Sequence, residues 1–205
     1  MVTVSLHYPL SYILQKKEEA FQRMRRPFEH HVFAIGEYYY KFPNYPKLFH
    51  GNQQSYAEIA LRKHQLVSQY FDSVSIPATT IIPREDSYII EQIAIVGEPL
   101  GLRHLKDKKT LQQLEYLLEI NDRMRHKEFA LDMCGTDMLT DPLKIHNILT
   151  DGTKLYPIDT VLLDKKSKNI MYKSLSHGIM PMQKKIIKLL QLTTMKERIV
   201  ERTNV

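Results

Sequence analysis

The chain predicts an α+β fold, arranged as one compact two-lobed domain over residues 1–205, with a small antiparallel sheet lobe to about residue 96 and a mainly helical lobe from about residue 97. Three observations predict it. Short apolar segments separated by turn residues dominate the first half. The run Gly97-Glu98-Pro99-Leu100-Gly101 then breaks the pattern, and beyond it apolar residues recur mostly at helical spacing.

Taken in order, Val2 to Leu6 fits a short edge strand. Pro9 to Arg26 places Leu10, Ile13, Leu14, Phe21 and Met24 at helical spacing and ends in Arg23, Arg25 and Arg26, cations that suit the negative end of a helix dipole. Between Phe28 and Phe42 two strands meet at Gly36, and Lys41 lies at the end of the second. Ser55 to Phe71 is an amphipathic helix whose stripe includes Tyr56, Ile59, Ala60, Leu66, Val67 and Tyr70. Thr79 to Ile82 and Ser87 to Val96 form a hairpin about Pro83 to Asp86. Thr110 to Glu128 is a helix with Leu111, Leu114, Leu117, Leu118 and Met124 on one face. Two short apolar strands meet at Asp151-Gly152, where glycine supplies the positive φ of a tight turn, and a last helix runs from about Pro181 to Glu201.

With 43% hydrophobic and 25% charged residues the chain reads as soluble and globular. No apolar run approaches the roughly 20 residues of a membrane span, and the N-terminus lacks the sections of a secretory signal, so a cytoplasmic location is expected. The single cysteine, Cys134, excludes an internal disulfide and a cysteine-based zinc site. Nine histidines invite a metal reading, but His30 and His31 are neighbours on a strand and point to opposite faces. No Gly-x-Ser-x-Gly elbow is present for a hydrolase. The net charge of +6 suits an anionic partner, and a nucleotide, a nucleic acid and an acidic membrane all qualify.

The residues with chemistry to offer are spaced along the chain. Lys41 lies on a strand, seventeen residues before Glu58 on the next helix. Tyr88 to Leu100, YIIEQIAIVGEPL, is a strand leading into a turn. Leu117 to Asp132 is a helix running into a short apolar strand that ends in an acid. In HNILTDGTKLYPID, Asn147 and Asp159 lie at the outer ends of the Asp-Gly hairpin, twelve residues apart, as two oxygen ligands that suit Mg²⁺.

This ordered set resembles the protein-kinase-like superfamily, which includes aminoglycoside-phosphotransferase-type kinases and the minimal effector kinases that bacteria inject into host cells. The resemblance covers roughly Phe28 to Asp164. It implies a phosphotransferase that uses ATP and Mg²⁺ and moves the γ-phosphoryl group to a hydroxyl, foremost on a protein substrate, with no stable nucleic-acid or membrane partner. Lys41 would orient the phosphates and Glu58 would hold Lys41. Glu91 and Ile93 would present backbone to an adenine edge, Asp132 would accept the hydroxyl proton, and Asn147 and Asp159 would hold the metal. It also allows export to a host cell without a cleaved signal.

The chain departs from the family in several places. Asp132 and Asn147 are fifteen residues apart where the family usually has five, so either Met133 to Leu143 is an insertion or Asp141 or Asp137 is the base. Thr160-Val161 replaces the Phe-Gly after the metal-binding Asp, and no Gly-x-Gly-x-x-Gly loop precedes Lys41. The second lobe is truncated against a full protein kinase. Two rival classes remain open: a non-catalytic pseudokinase acting as a nucleotide-binding or protein-interaction module, and a basic nucleic-acid binder resting on charge alone.

Overall fold

The computed structural model describes residues 6–21, 30–44, 56–71, 76–126, 129–131, 133, 144–159, 162–164, 185, 188, 189 and 192. It is an α+β chain that divides into two compact units, Met1–Lys63 with Pro77–Ala94 and His64–Ile76 with Ile95–Val205. No helix among the described residues is long and apolar enough to cross a membrane.

The first unit is built on a four-stranded antiparallel sheet. After helix α1 (Leu10–Phe21) come β1 (His30–Ile35) and β2 (Tyr38–Pro43), then helix α2 (Tyr56–Tyr70), β3 (Thr79–Arg84) and β4 (Ser87–Ile93), in the spatial order β1-β2-β4-β3. The β1–β2 turn contains Gly36 at φ +56°, and the Tyr8 hydroxyl occupies the space where a side chain at that position would sit. The β3–β4 turn is shorter than the composition suggests. Pro83 pairs with Tyr88 and Arg84 with Ser87, leaving only Glu85 and Asp86 between the strands. Proline is accommodated because β3 is an edge strand.

Strand alternation gives this sheet two apolar faces. On one, Ile13 of α1 packs against Phe33, Ile35, Tyr40, Phe42, Ile82 and Ile89. On the other, Tyr56, Ala57 and Ala60 from the start of α2 pack against Ile81, Tyr88 and Ile90. α1 and α2 therefore cover opposite faces.

In the second unit β5 (Glu98–Gly101), a 3₁₀ turn (His104–Lys106), α3 (Lys108–His126), β6 (Phe129–Leu131), β7 (Lys144–Thr150), β8 (Leu155–Pro157) and β9 (Leu162–Asp164) follow in sequence. The sheets are β5-β7-β8 and β6-β9, all antiparallel. The described part of this unit thus contains five strands where a mainly helical lobe is expected. One of them, β5, is the very segment that reads as a break. Gly97 makes it possible, because a Cβ there would lie 2.6 Å from the Thr150 carbonyl oxygen, and Pro99 sits at a register shift on an edge strand. Gly101 N–H donates to His104 Nδ1 at 2.9 Å, and His104 Nε2 lies 3.0 Å from Glu98 Oε1, which ties the strand to the turn after it.

Asp107 caps α3, its Oδ2 accepting from Thr110 N–H at 2.7 Å. The buried stripe of α3, from Leu114 through Leu117 and Ile120 to Met124, packs with Val67, Phe71, Leu100, Leu131, Met133, Ile145, Ile148 and Leu155 in one core. Lys185, Lys188, Leu189 and Leu192 are helical, within the expected last helix. The expected strand at Val2 to Leu6 and the basic cluster Arg23, Arg25 and Arg26 lie outside the described residues, Leu6 apart.

Candidate functional site

Lys41 lies in β2 opposite Val32 on one side and Ile90 on the other. Paired residues share a face, so Lys41 is on the face that the first turns of α2 cover. Glu58 is in the first turn of that helix, on its exposed side. Further along the same face of β1, Val32 and Ala34 are exposed, with Val32 at 37%. The same alternation places His30 there too, at the start of β1. Its Nε2 is shut off from solvent without a hydrogen-bond partner. Burial, and then the nearby Lys41 charge, push the His30 imidazole down to about 3, so it is neutral at ordinary pH.

Glu91 occupies the opposite face of the central strand β4. Its carboxylate is 2% exposed and accepts from Tyr40 Oη–H at 2.6 Å, His7 N–H at 3.2 Å and His7 Nδ1–H at 2.8 Å. The His7 ring stacks on Tyr38, with centroids 3.9 Å apart. Burial, followed by the hydrogen bond to Glu91, raises the Tyr40 phenol far above its usual range. Glu91 is flanked by Tyr40 and Thr80 in the two ladders, and Ile93 N–H donates to the Ala78 carbonyl at 2.9 Å. Ala94 N–H donates to the Glu37 carbonyl at 2.7 Å. The chain that follows is more open, with Val96 92% exposed.

The β7–β8 hairpin has Asn147 and Asp159 near its open end. Pairing runs Thr150 to Leu155, Leu149 to Tyr156 and Ile148 to Pro157, and Ile158 N–H donates to the Asn147 carbonyl at 3.0 Å. Asp159 is the next residue along, and both candidate ligands are half-buried. The loop spans the four residues Asp151 to Lys154, with Gly152 at φ +89°, and is not the two-residue turn that Asp-Gly suggests. Asp151 organises it. Oδ1 accepts from Thr153 N–H at 2.7 Å, Thr153 Oγ1–H at 2.8 Å and Lys154 N–H at 2.8 Å, and Oδ2 accepts from Tyr156 Oη–H at 2.7 Å. These bonds, that from Tyr156 foremost, hold the Asp151 carboxyl well below the usual carboxylate range.

Two carboxamides of α3 tie strands to the helix. Gln113 donates to the Thr153 carbonyl at 2.9 Å and accepts from Leu155 N–H at 2.9 Å. Asn121 donates to the Leu131 carbonyl at 3.2 Å and accepts from Leu131 N–H at 2.8 Å. Sequence reasoning passed over both, although Asn121 follows Leu117 by four residues and so interrupts an apolar stripe with a polar group. It weighed His30 only as a metal ligand. Asp132, Asp137 and Asp141 lie outside the described residues.

The two units thus hold separate parts of the expected set: Lys41, Glu58, Glu91 and Ile93 in the first, Asn147 and Asp159 in the second. Among the described residues no three His, Cys, Asp or Glu side chains group as a metal site. A carboxamide and a carboxylate are ligand types that suit Mg²⁺, which is commonly held by one or two protein oxygens and several waters. No family model, curated protein or solved structure matches the chain.

Proposed function

We propose that the chain is a kinase-like, ATP-dependent phosphotransferase that moves the γ-phosphoryl group to a hydroxyl acceptor, foremost on a protein. The observation that carries this reading is the place of Lys41: a strand lysine on the sheet face that α2 packs against, with the exposed Val32 and Ala34 beside it. A cation next to an open apolar strip suits a ligand with charged phosphates at one end and a flat base at the other. Lys41 draws the phosphates, Glu58 orients it from α2, and Asp132 accepts the acceptor's proton. Asn147 and Asp159 would hold Mg²⁺, which would supply positive charge to offset that of the phosphates.

Phosphate transfer from labelled ATP, by the purified chain to itself and to a protein extract, tests the reading. Lys41→Ala and Asp159→Ala should each abolish transfer, and undiminished transfer in both variants sinks it. A second reading, a pseudokinase that binds nucleotide without turnover, is favoured by the fifteen-residue interval from Asp132 to Asn147. It predicts Mg²⁺-dependent ATP binding that Asp159→Ala weakens, with no labelled product in any sample.

A further inference from the structure

One polar atom beside Lys41 is left unsatisfied by the fold. His30 Nε2 is closed off from solvent and has no hydrogen-bond partner, and such groups in folded proteins mark a ligand, a bound water or stored strain. Position narrows the choice. His30 is two residues from Val32, the partner of Lys41, which makes His30 and Lys41 diagonal cross-strand neighbours on one sheet face, a relation that spaces Cα atoms about 7–8 Å apart. Burial and the ammonium of Lys41 both oppose a charge on the ring. An ammonium and a neutral imidazole N–H at that separation are two donors on one sheet face that a single polyanion can meet together. A single carbonyl would serve one of them, whereas a chain of phosphates offers oxygens to both and brings the negative charge that Lys41 favours. The sequence adds a reason, since Lys41 is not preceded by the glycine-rich run whose backbone amides would otherwise cradle phosphates.

We infer that His30 is a phosphate-binding residue, its Nε2–H donating to an oxygen of the polyphosphate that Lys41 attracts. This deepens the phosphotransferase reading and rests on it for the identity of the nucleotide. The exposed Val32 and Ala34 continue the same face away from His30, leaving the polar end of the ligand at His30 and Lys41 and its apolar end along the strand.

Calorimetric titration of the full chain with MgATP, adenosine and inorganic tripolyphosphate tests it. His30→Phe should weaken MgATP and tripolyphosphate binding about tenfold or more and leave adenosine binding unchanged. His30→Gln, which keeps an N–H donor, should recover most of that loss, and His30→Ala serves the same comparison if the phenyl ring disrupts folding. Unchanged tripolyphosphate affinity in the variants overturns the inference, as does an equal loss of adenosine. Binding of tripolyphosphate but not of MgATP by the wild type, with the His30 effect intact, removes the nucleotide reading and keeps the anion site. A wild-type chain that binds neither overturns both.

Discussion

Asn121 spends its whole carboxamide on one residue, donating to the Leu131 carbonyl and accepting from the Leu131 N–H, with the Asn side 8% exposed and Leu131 1%. Removing it leaves two buried backbone groups unpaired, so Asn121→Ala should lower unfolding free energy by roughly 2–3 kcal/mol. Asn121→Asp should do at least as badly at neutral pH, because a second oxygen would then face the Leu131 carbonyl. It should improve in acid, where a protonated Asp can donate again. Urea melts of the three proteins at two pH values decide this.

The His30 imidazole gives a pH signature. Its folded value, about 3, lies below the ordinary 6.5, so between those values the unfolded chain binds the extra proton. The stability from keeping the ring neutral is full above 6.5 and is lost as pH falls toward 3. His30→Phe removes this dependence. The stability difference, wild type minus variant, should therefore fall steadily from pH 7 to pH 3.5 in denaturant titrations, by an amount on the order of a few kcal/mol at most.

Tyr40 and Glu91 should behave as a unit. Tyr40→Phe withdraws the 2.6 Å donor from a buried carboxylate and should cost about 1–3 kcal/mol, whereas His7→Ala, at a side chain 52% exposed, should cost much less. Glu91→Gln combined with Tyr40→Phe should fall short of the sum of the two single changes. A double-mutant cycle measures the shortfall, and strict additivity would refute the coupling.

Glycine is needed at 97 and at 152 for different reasons, and substitution separates them. A Cβ at 97 meets the backbone of Thr150, at 2.6 Å from its oxygen and 3.0 Å from its carbonyl carbon, so Gly97→Ala and Gly97→Asn should both disturb the β5–β7 ladder. Gly152 has open space around it but sits at φ +89°. Gly152→Ala should cost about 1–2 kcal/mol, and Gly152→Asn less, because asparagine tolerates positive φ better. Thermal midpoints of the four variants check the contrast.

What could be read from the sequence was what adjacent residues encode. The strands flanking Gly36, the helix over residues 56–70 and the hairpin after Asn147 each announce themselves by local periodicity and turn chemistry. β5 did not, because its strand character comes from pairing with β7, more than forty residues on, and neither Gly97 nor Pro99 favours a strand on its own. The pairing of β6 with β9 is hidden for the same reason. Among the candidate site residues, Lys41 and Asn147 were read only as residue types at a spacing. Glu91 was read for its backbone, yet its buried carboxylate gathers Tyr40 and His7, partners 51 and 84 residues away.

The contact between Tyr8 and Gly36 bears on how this sequence can drift. The β1–β2 turn demands a left-handed backbone at residue 36, and the Tyr8 hydroxyl fills the volume a side chain would need there. A lineage that placed asparagine at 36 would have to swing the Tyr8 hydroxyl aside or shorten residue 8, so diverged homologues with a side chain at 36 should favour a smaller residue at 8.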